Sequence, residues 1–219
     1  MNKSKLSIHG RIEVGFDSLY LLGVLGLGIY FVAAAAGLGR LWGVMALVLG
    51  LGDSFHLLPR VLATLQDNKA RYRVPLGRGK QITSVTMTVF YLLLWQIGLG
   101  LFGGGVFARY SPLVYGLAAV RVLLCLLPHN RWTAAQPDPR WGVWRNLPFL
   151  AQGLLTAALW WQYRAAVPAL GLVWLAVLLS FGFYLPVVLW SHKKPAVGML
   201  MLPKTCMYLW LVAMGLGAF

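Results

Sequence analysis

LGLGDSFHLLPRVL, residues Leu49–Leu62, sets Asp53, His56 and Arg60 into an otherwise apolar run. Their spacings of three and four residues bring the three side chains onto one face of a helix. An ionisable group at membrane depth costs several kcal/mol unless it faces protein or water. The stretch therefore reads as a transmembrane helix whose polar face looks into a bundle.

The rest of the chain agrees. Of its 219 residues 59% are hydrophobic and 11% charged, against ~25% charged in an ordinary soluble domain. Apolar stretches long enough for a ~30 Å hydrocarbon core recur at about 18–37, 41–63, 82–106, 112–128, 147–163, 166–190 and 196–218. The expected fold is all-α, a polytopic bundle of seven transmembrane helices forming one domain over residues 18–219. Residues 1–17 read as a cytoplasmic lead-in, with Asp17-Ser18 capping the first helix. Ala33–Ala36 also offers small-residue cleavage patterns, but the long stretch before the apolar run favours a span over a signal peptide.

A net charge of +14 would suit a nucleic-acid binder, yet its distribution has a simpler cause. Lys3, Lys5, Arg11, Lys69, Arg71, Arg73, Arg78, Lys80, Arg131, Arg140, Arg145, Lys193 and Lys194 fall on the side of the N-terminus. Only Arg40, Arg109 and Arg164 fall opposite. Positive residues stay inside, so the N-terminus is expected in the cytoplasm and the C-terminus outside. Membrane lipids are then natural partners and nucleic acid is not; oligomeric state is left open.

Between the spans, Pro75-Leu76-Gly77 in the basic loop 64–80 reads as a turn. Thr83, Ser84, Thr86 and Thr88 give helix 3 a hydroxyl-rich start. The loop 129–146 mixes Trp132, Trp141 and Trp144 with Arg131, Arg140 and Arg145, as headgroup-level segments do. Cys125 and Cys206 fall inside spans and read as small buried residues. A weak repeat pairs LPRVL at 58–62 with LPVVL at 185–189, and TVFYL at 88–92 with TCMYL at 205–209. It would make a parallel three-plus-one-plus-three arrangement, as in some small transporters.

Arg121 in helix 4 and Lys204 in helix 7 add buried charge to Asp53, His56 and Arg60. Positive groups outnumber the one carboxylate. Two readings follow. In the first, Arg60 snorkels to the interface and Asp53 pairs with Lys204 or Arg121, fastening the bundle. In the second, Arg60, Arg121 and Lys204, with Tyr184, Tyr208 and Thr86, line a cytoplasm-facing pocket for a small anionic solute or lipid headgroup. That pocket would serve binding and transport, with Asp53-His56 as a protonation switch.

Whether the protein is an enzyme stays open. Asp53 and His56 could serve an intramembrane lipid hydrolase or transferase with a hydroxyl from another helix. A non-catalytic membrane scaffold is a further alternative. No metal or cofactor is expected, since Asp53 and His56 give two ligands where a catalytic zinc wants three.

The runs GDSFHLLPR, ITSVTMTVFY, LCLLPHNRW, WRNLPF, SFGFYLPVVLW and MLPKTCMYLW resemble an uncharacterised family of bacterial integral membrane proteins. The resemblance implies a multi-pass protein of the bacterial cytoplasmic (inner) membrane and carries no activity with it.

Overall fold

The computed structural model describes residues 8–68, 70–135 and 138–219; Lys3, Lys5 and Lys69, counted above for topology, lie outside the described residues. Seven α-helices follow one another: α1 (Ile8–Ala34), α2 (Gly37–Leu65), α3 (Arg73–Phe102), α4 (Ser111–Leu126), α5 (Pro139–Gln162), α6 (Val173–Trp190) and α7 (Met201–Met214). With their flanking 3₁₀ turns, six are long and apolar enough to cross a membrane: Gly10–Ala34, Gly37–Leu65, Arg73–Phe102, Gly105–Leu126, Pro168–Trp190 and Ala196–Gly217. The seventh, α5, is long enough, but Arg140, Arg145, Asn146, Gln152 and Gln162 dilute its apolar character. Length and composition mark the chain as a multi-pass membrane protein. Its outer surface fits that setting, with Leu19 and Leu22 both 71% exposed beside many other outward-facing aliphatic residues.

Helices α1, α3 and α5 start about two turns or more before the apolar runs, because hydropathy locates a span and not the polar turns that precede it. In α1, Asp17 does not cap a helix; it lies mid-helix, 1% exposed, facing Arg60 of α2. A guanidinium on the next helix satisfies both carboxylate oxygens, which one capping bond would not. Pro75-Leu76-Gly77 is likewise not a turn but lies within α3. Pro75 falls near the helix start, where a missing N–H leaves no internal bond unmade. Helix α5 begins at Pro139, with the Asp138 carboxylate accepting from the Arg140 backbone N–H at 2.9 Å.

The glycines of α3 instead admit backbone. A Cβ on Gly77 would overlap the Trp132 carbonyl of the α4–α5 connection, and one on Gly79 would overlap the Phe55 carbonyl of α2. Pro59 explains the second contact. Having no N–H, it leaves the Phe55 carbonyl without its helical partner. The Gly79 Cα comes up against that freed oxygen.

Contacts between connections show how the helices alternate. Arg145 lies over the Trp132 ring, and Gly77 meets the Trp132 backbone, which gathers the α2–α3 and α4–α5 connections at one end. Gly39 meets Phe219, Gly217 meets Ala169 and Gly105 meets Tyr163 at the opposite end. We refer to these as the basic end and the far end. Helix α2 packs along α1 and α3, α6 packs along α5 and α7, and α4 bridges α3 to α5.

The far half is filled by aromatic rings. Trp42 packs edge-on to Trp160 and against Phe219, and Phe102 stacks on Tyr163. Their polar edges reach backbone, as a hydrocarbon surround demands: Trp42 Nε1 donates to the Val212 carbonyl at 3.0 Å and Trp160 Nε1 to Leu94 at 3.3 Å. At mid-bundle Tyr91 packs against Phe90, Phe149 and Phe181. That layer separates the far half from the polar basic half.

Gly79→Ala should destabilise the protein by about 1–3 kcal/mol, since its Cβ meets backbone that cannot rotate away. Gly26→Ala, where a Cβ meets nothing within 4 Å, should be neutral or slightly stabilising. Thermal unfolding in one detergent distinguishes the two.

Candidate functional site

Helix α4 ends at Leu126, and its last carbonyls would be orphaned near the membrane. Side chains from three elements take them up. Asn130 Nδ2 donates to Leu124 and Leu127 at 2.6 and 2.9 Å, Trp132 Nε1 to Cys125 at 2.9 Å, and Gln81 Nε2 of α3 to Cys125 at 3.3 Å. The Asn130 oxygen in turn accepts from Arg145 Nη1 at 2.9 Å. Arg145 is thus fixed on a neutral amide and the Trp132 ring, 4.2 Å from its centroid. Its charge meets no carboxylate.

Behind this cap lies a cavity of about 660 Å³ with walls from every helix. Helical spacing selects its lining. Residues His56, Arg60, Ala63 and Thr64 come from α2; Lys80, Thr83, Ser84 and Met87 from α3; Tyr184, Val187, Val188 and Ser191 from α6 and its end. Each set recurs at three- and four-residue steps, so each is one helical face. Arg121 comes from α4, Arg145 and Phe149 from α5, and Lys204 from α7.

The cations differ in how they are compensated. Arg60 Nε and Nη2 donate to Asp17 at 2.9, 2.5 and 2.7 Å, and Glu13 adds an oxygen 3.2 Å from Nε. Arg60 therefore neither snorkels free nor stands as an open anion ligand; two carboxylates of α1 hold it. Lys204, 9% exposed, has its Nζ over the rings of Tyr184 and Tyr208, 4.8 and 5.2 Å from their centroids. Arg121 is 2% exposed, with Cζ 3.1 Å from the Phe149 ring centroid, and its Nε and Nη1 donate to nothing.

Asp53 belongs to another neighbourhood. It accepts a 2.7 Å hydrogen bond from the Tyr20 hydroxyl of α1, and among the described residues it forms no ion pair with Lys204, Arg121 or His56. The direct ion pairs among the described residues are those of Arg60 with Asp17 and Glu13, while Asp53 and Lys204 stay within electrostatic reach without pairing. No hydrogen bond joins Asp53 to His56, whose Nδ1 is buried without a partner. Ser54 is turned to its own helix, donating to the Leu51 carbonyl at 2.6 Å.

Of the residues singled out in the sequence, His56, Arg60, Arg121, Tyr184 and Lys204 meet at the cavity, while Asp53, Thr86 and Tyr208 lie outside its lining. Thr86 bonds the Thr83 carbonyl at 3.2 Å, where α3 packs against Gly52, and Thr83 donates to the Gly52 carbonyl at 2.9 Å. The Tyr208 hydroxyl is 3.3 Å from that of Tyr91, which is 3.3 Å from Ser180 Oγ. Tyr184 donates to Asn146 Oδ1 at 3.1 Å.

Lys80 and Arg145 are lining cations that sequence reasoning assigned to topology alone. A signal existed: Lys80, Thr83, Ser84 and Met87 keep helical spacing, but starting helix 3 at residue 82 cut the series off. No known family profile, curated protein or solved structure matches the chain.

The Asp17–Arg60 pair makes a stability prediction. Asp17→Asn leaves a largely buried guanidinium short of its main acceptor and should cost about 3–5 kcal/mol, whereas the double change Asp17→Leu/Arg60→Met should recover most of that loss. Unfolding of both variants in detergent or mixed micelles tests it.

Proposed function

We propose that this protein crosses the bacterial cytoplasmic membrane seven times, basic end inward and C-terminus outward, and binds a small anionic solute or lipid headgroup in the cavity for transport. Arg121 carries the proposal. A guanidinium is the side chain best shaped to take two oxygens of a carboxylate or phosphate. Here it is fully buried with two guanidinium nitrogens, Nε and Nη1, unpartnered among the described residues, a condition that costs about 1–3 kcal/mol for each unsatisfied donor. Phe149 recovers part of this through its ring face. A folded protein that retains such a cost has a use for the charge, and an incoming anion supplies the missing acceptors.

Lys204 supports the same reading, because its ammonium lies over aromatic rings, with Asp53 within electrostatic reach but forming no ion pair with it among the described residues. The transport part rests on shape. The cavity reaches the connections of the basic end, and Phe149 lines it where the layer of Tyr91, Phe149 and Phe181 begins. One open side and one closed side are what an alternating-access carrier presents at each stage. Pro59 in α2 and Pro186 in α6 fall within two of the cavity's walls, and we propose them as bending points of those helices. A hydrolase or transferase would need His56 oriented by Asp53, and among the described residues no hydrogen bond joins the two.

Arg121→Met should leave the melting temperature unchanged or raise it, since an apolar side chain of similar length ends the burial of unmet donors. The same variant should lose the stabilisation that inorganic phosphate gives the native protein. A large fall in melting temperature would instead make Arg121 a structural tie. For orientation, Ser191→Cys should react with a membrane-impermeant thiol reagent only in inside-out vesicles, and Ala108→Cys only in right-side-out ones.

A further inference from the structure

The cavity's charges are not scattered. They fall in two tiers along its depth. Arg121 and Lys204 form the inner tier, marked by Phe149 of α5 beneath the Arg121 guanidinium. One turn closer to the basic end, about 6 Å along α5 at 1.5 Å per residue, Arg145 projects from the same wall. Lys80 of α3 stands in the same lining, and Lys80 and Arg145 lie within electrostatic reach of each other. Each tier thus combines one guanidinium with one ammonium from different helices.

Among the described residues no carboxylate forms an ion pair with a member of either tier. Glu13 is engaged by Arg60, and Asp138 caps α5 at the cavity mouth. Asp53 accepts from Tyr20 outside the lining, within electrostatic reach of Lys204. Like charges held together in a low-dielectric cleft repel, so a ligand with a single anionic group would satisfy one tier and leave the other uncompensated. The cavity is also deep: Met87 and Leu76 bound it on α3, about 16 Å apart along the helix axis. A lone phosphate would not span it.

We propose that the ligand carries two linked phosphoryl groups, a diphosphate, with one bound by Arg121 and Lys204 and the other by Lys80 and Arg145. Arginine supplies the planar fork for two oxygens and lysine a point charge on a third, at both positions. Met87, Ala63, Val187 and Val188 leave apolar wall beside the charges, which suits the organic part of a diphosphate ester. That part could belong to a lipid or to a soluble ester. This inference rests on the anion-binding reading above and narrows it.

The test is titration of the full chain in neutral detergent with inorganic phosphate and inorganic pyrophosphate at equal ionic strength. A parallel arm uses micelles doped with phosphatidic acid or with diacylglycerol pyrophosphate. The diphosphate form should bind about tenfold tighter than the monophosphate in at least one arm. Preference confined to the lipid arm identifies a membrane source, and preference in solution a soluble one. Lys80→Gln, a change at an exposed wall position, should remove that preference by lowering diphosphate affinity several-fold more than monophosphate affinity. Arg145→Gln should act alike if the Trp132 cap holds, which its melting temperature reports. Equal affinity for mono- and diphosphate in both arms, or equal losses of both in Lys80→Gln, would overturn the two-tier assignment while the anion site stands. Binding of none of the four probes would overturn both.

Discussion

Within a hydrocarbon surround a guanidinium must find its acceptors inside the protein, and two arginines of this bundle meet that requirement in opposite ways. Arg60 has two carboxylates of α1 around it, one of them almost wholly buried. Arg121 has an aromatic face and two unmet donors. The first arrangement joins α1 to α2. The second leaves positive charge exposed to the cavity and to nothing else, and the cavity's character follows from that difference.

The surrounding architecture can be understood as what keeps this charge in place. Aromatic layers fill the far half, where Trp42 and Trp160 send their N–H groups to backbone carbonyls and Trp95 sends its own to the Ser111 hydroxyl. In the basic half, helices are held apart by polar side chains that are themselves satisfied. Asn130, Trp132 and Gln81 cap α4, Arg145 secures the cap, and Asn146 holds Tyr184. Close backbone packing at Gly77 and Gly79 closes one wall without side chains. What remains in the middle is a cleft in which Arg121, Lys204, Lys80 and Arg145 form no ion pair among the described residues.

Much of this was legible in the sequence, and what was not has definite causes. Hydropathy and helical spacing give the all-α bundle and place His56, Arg60, Arg121, Tyr184 and Lys204 on faces that meet at one cavity. They do not give partners across helices. Asp17 reads as a cap because Ser18 follows it at the edge of an apolar run, and only the packing of α1 on α2 reveals its guanidinium. Asp53 reads as the bundle's counterion because it is the lone acid within the spans, and Tyr20 takes that place unannounced. Lys80 and Arg145 are hidden for another reason: charges at a span's edge serve topology and lining alike, and a hydropathy profile sees only the former.

The most direct measurement of the central claim is native mass spectrometry of the protein released from mild detergent, with fragmentation of any retained adduct. The account predicts a phosphate-bearing molecule on the native protein that is missing from a folded Arg121→Met variant. Native protein that retains no anion, or an identical adduct on both proteins, would contradict it.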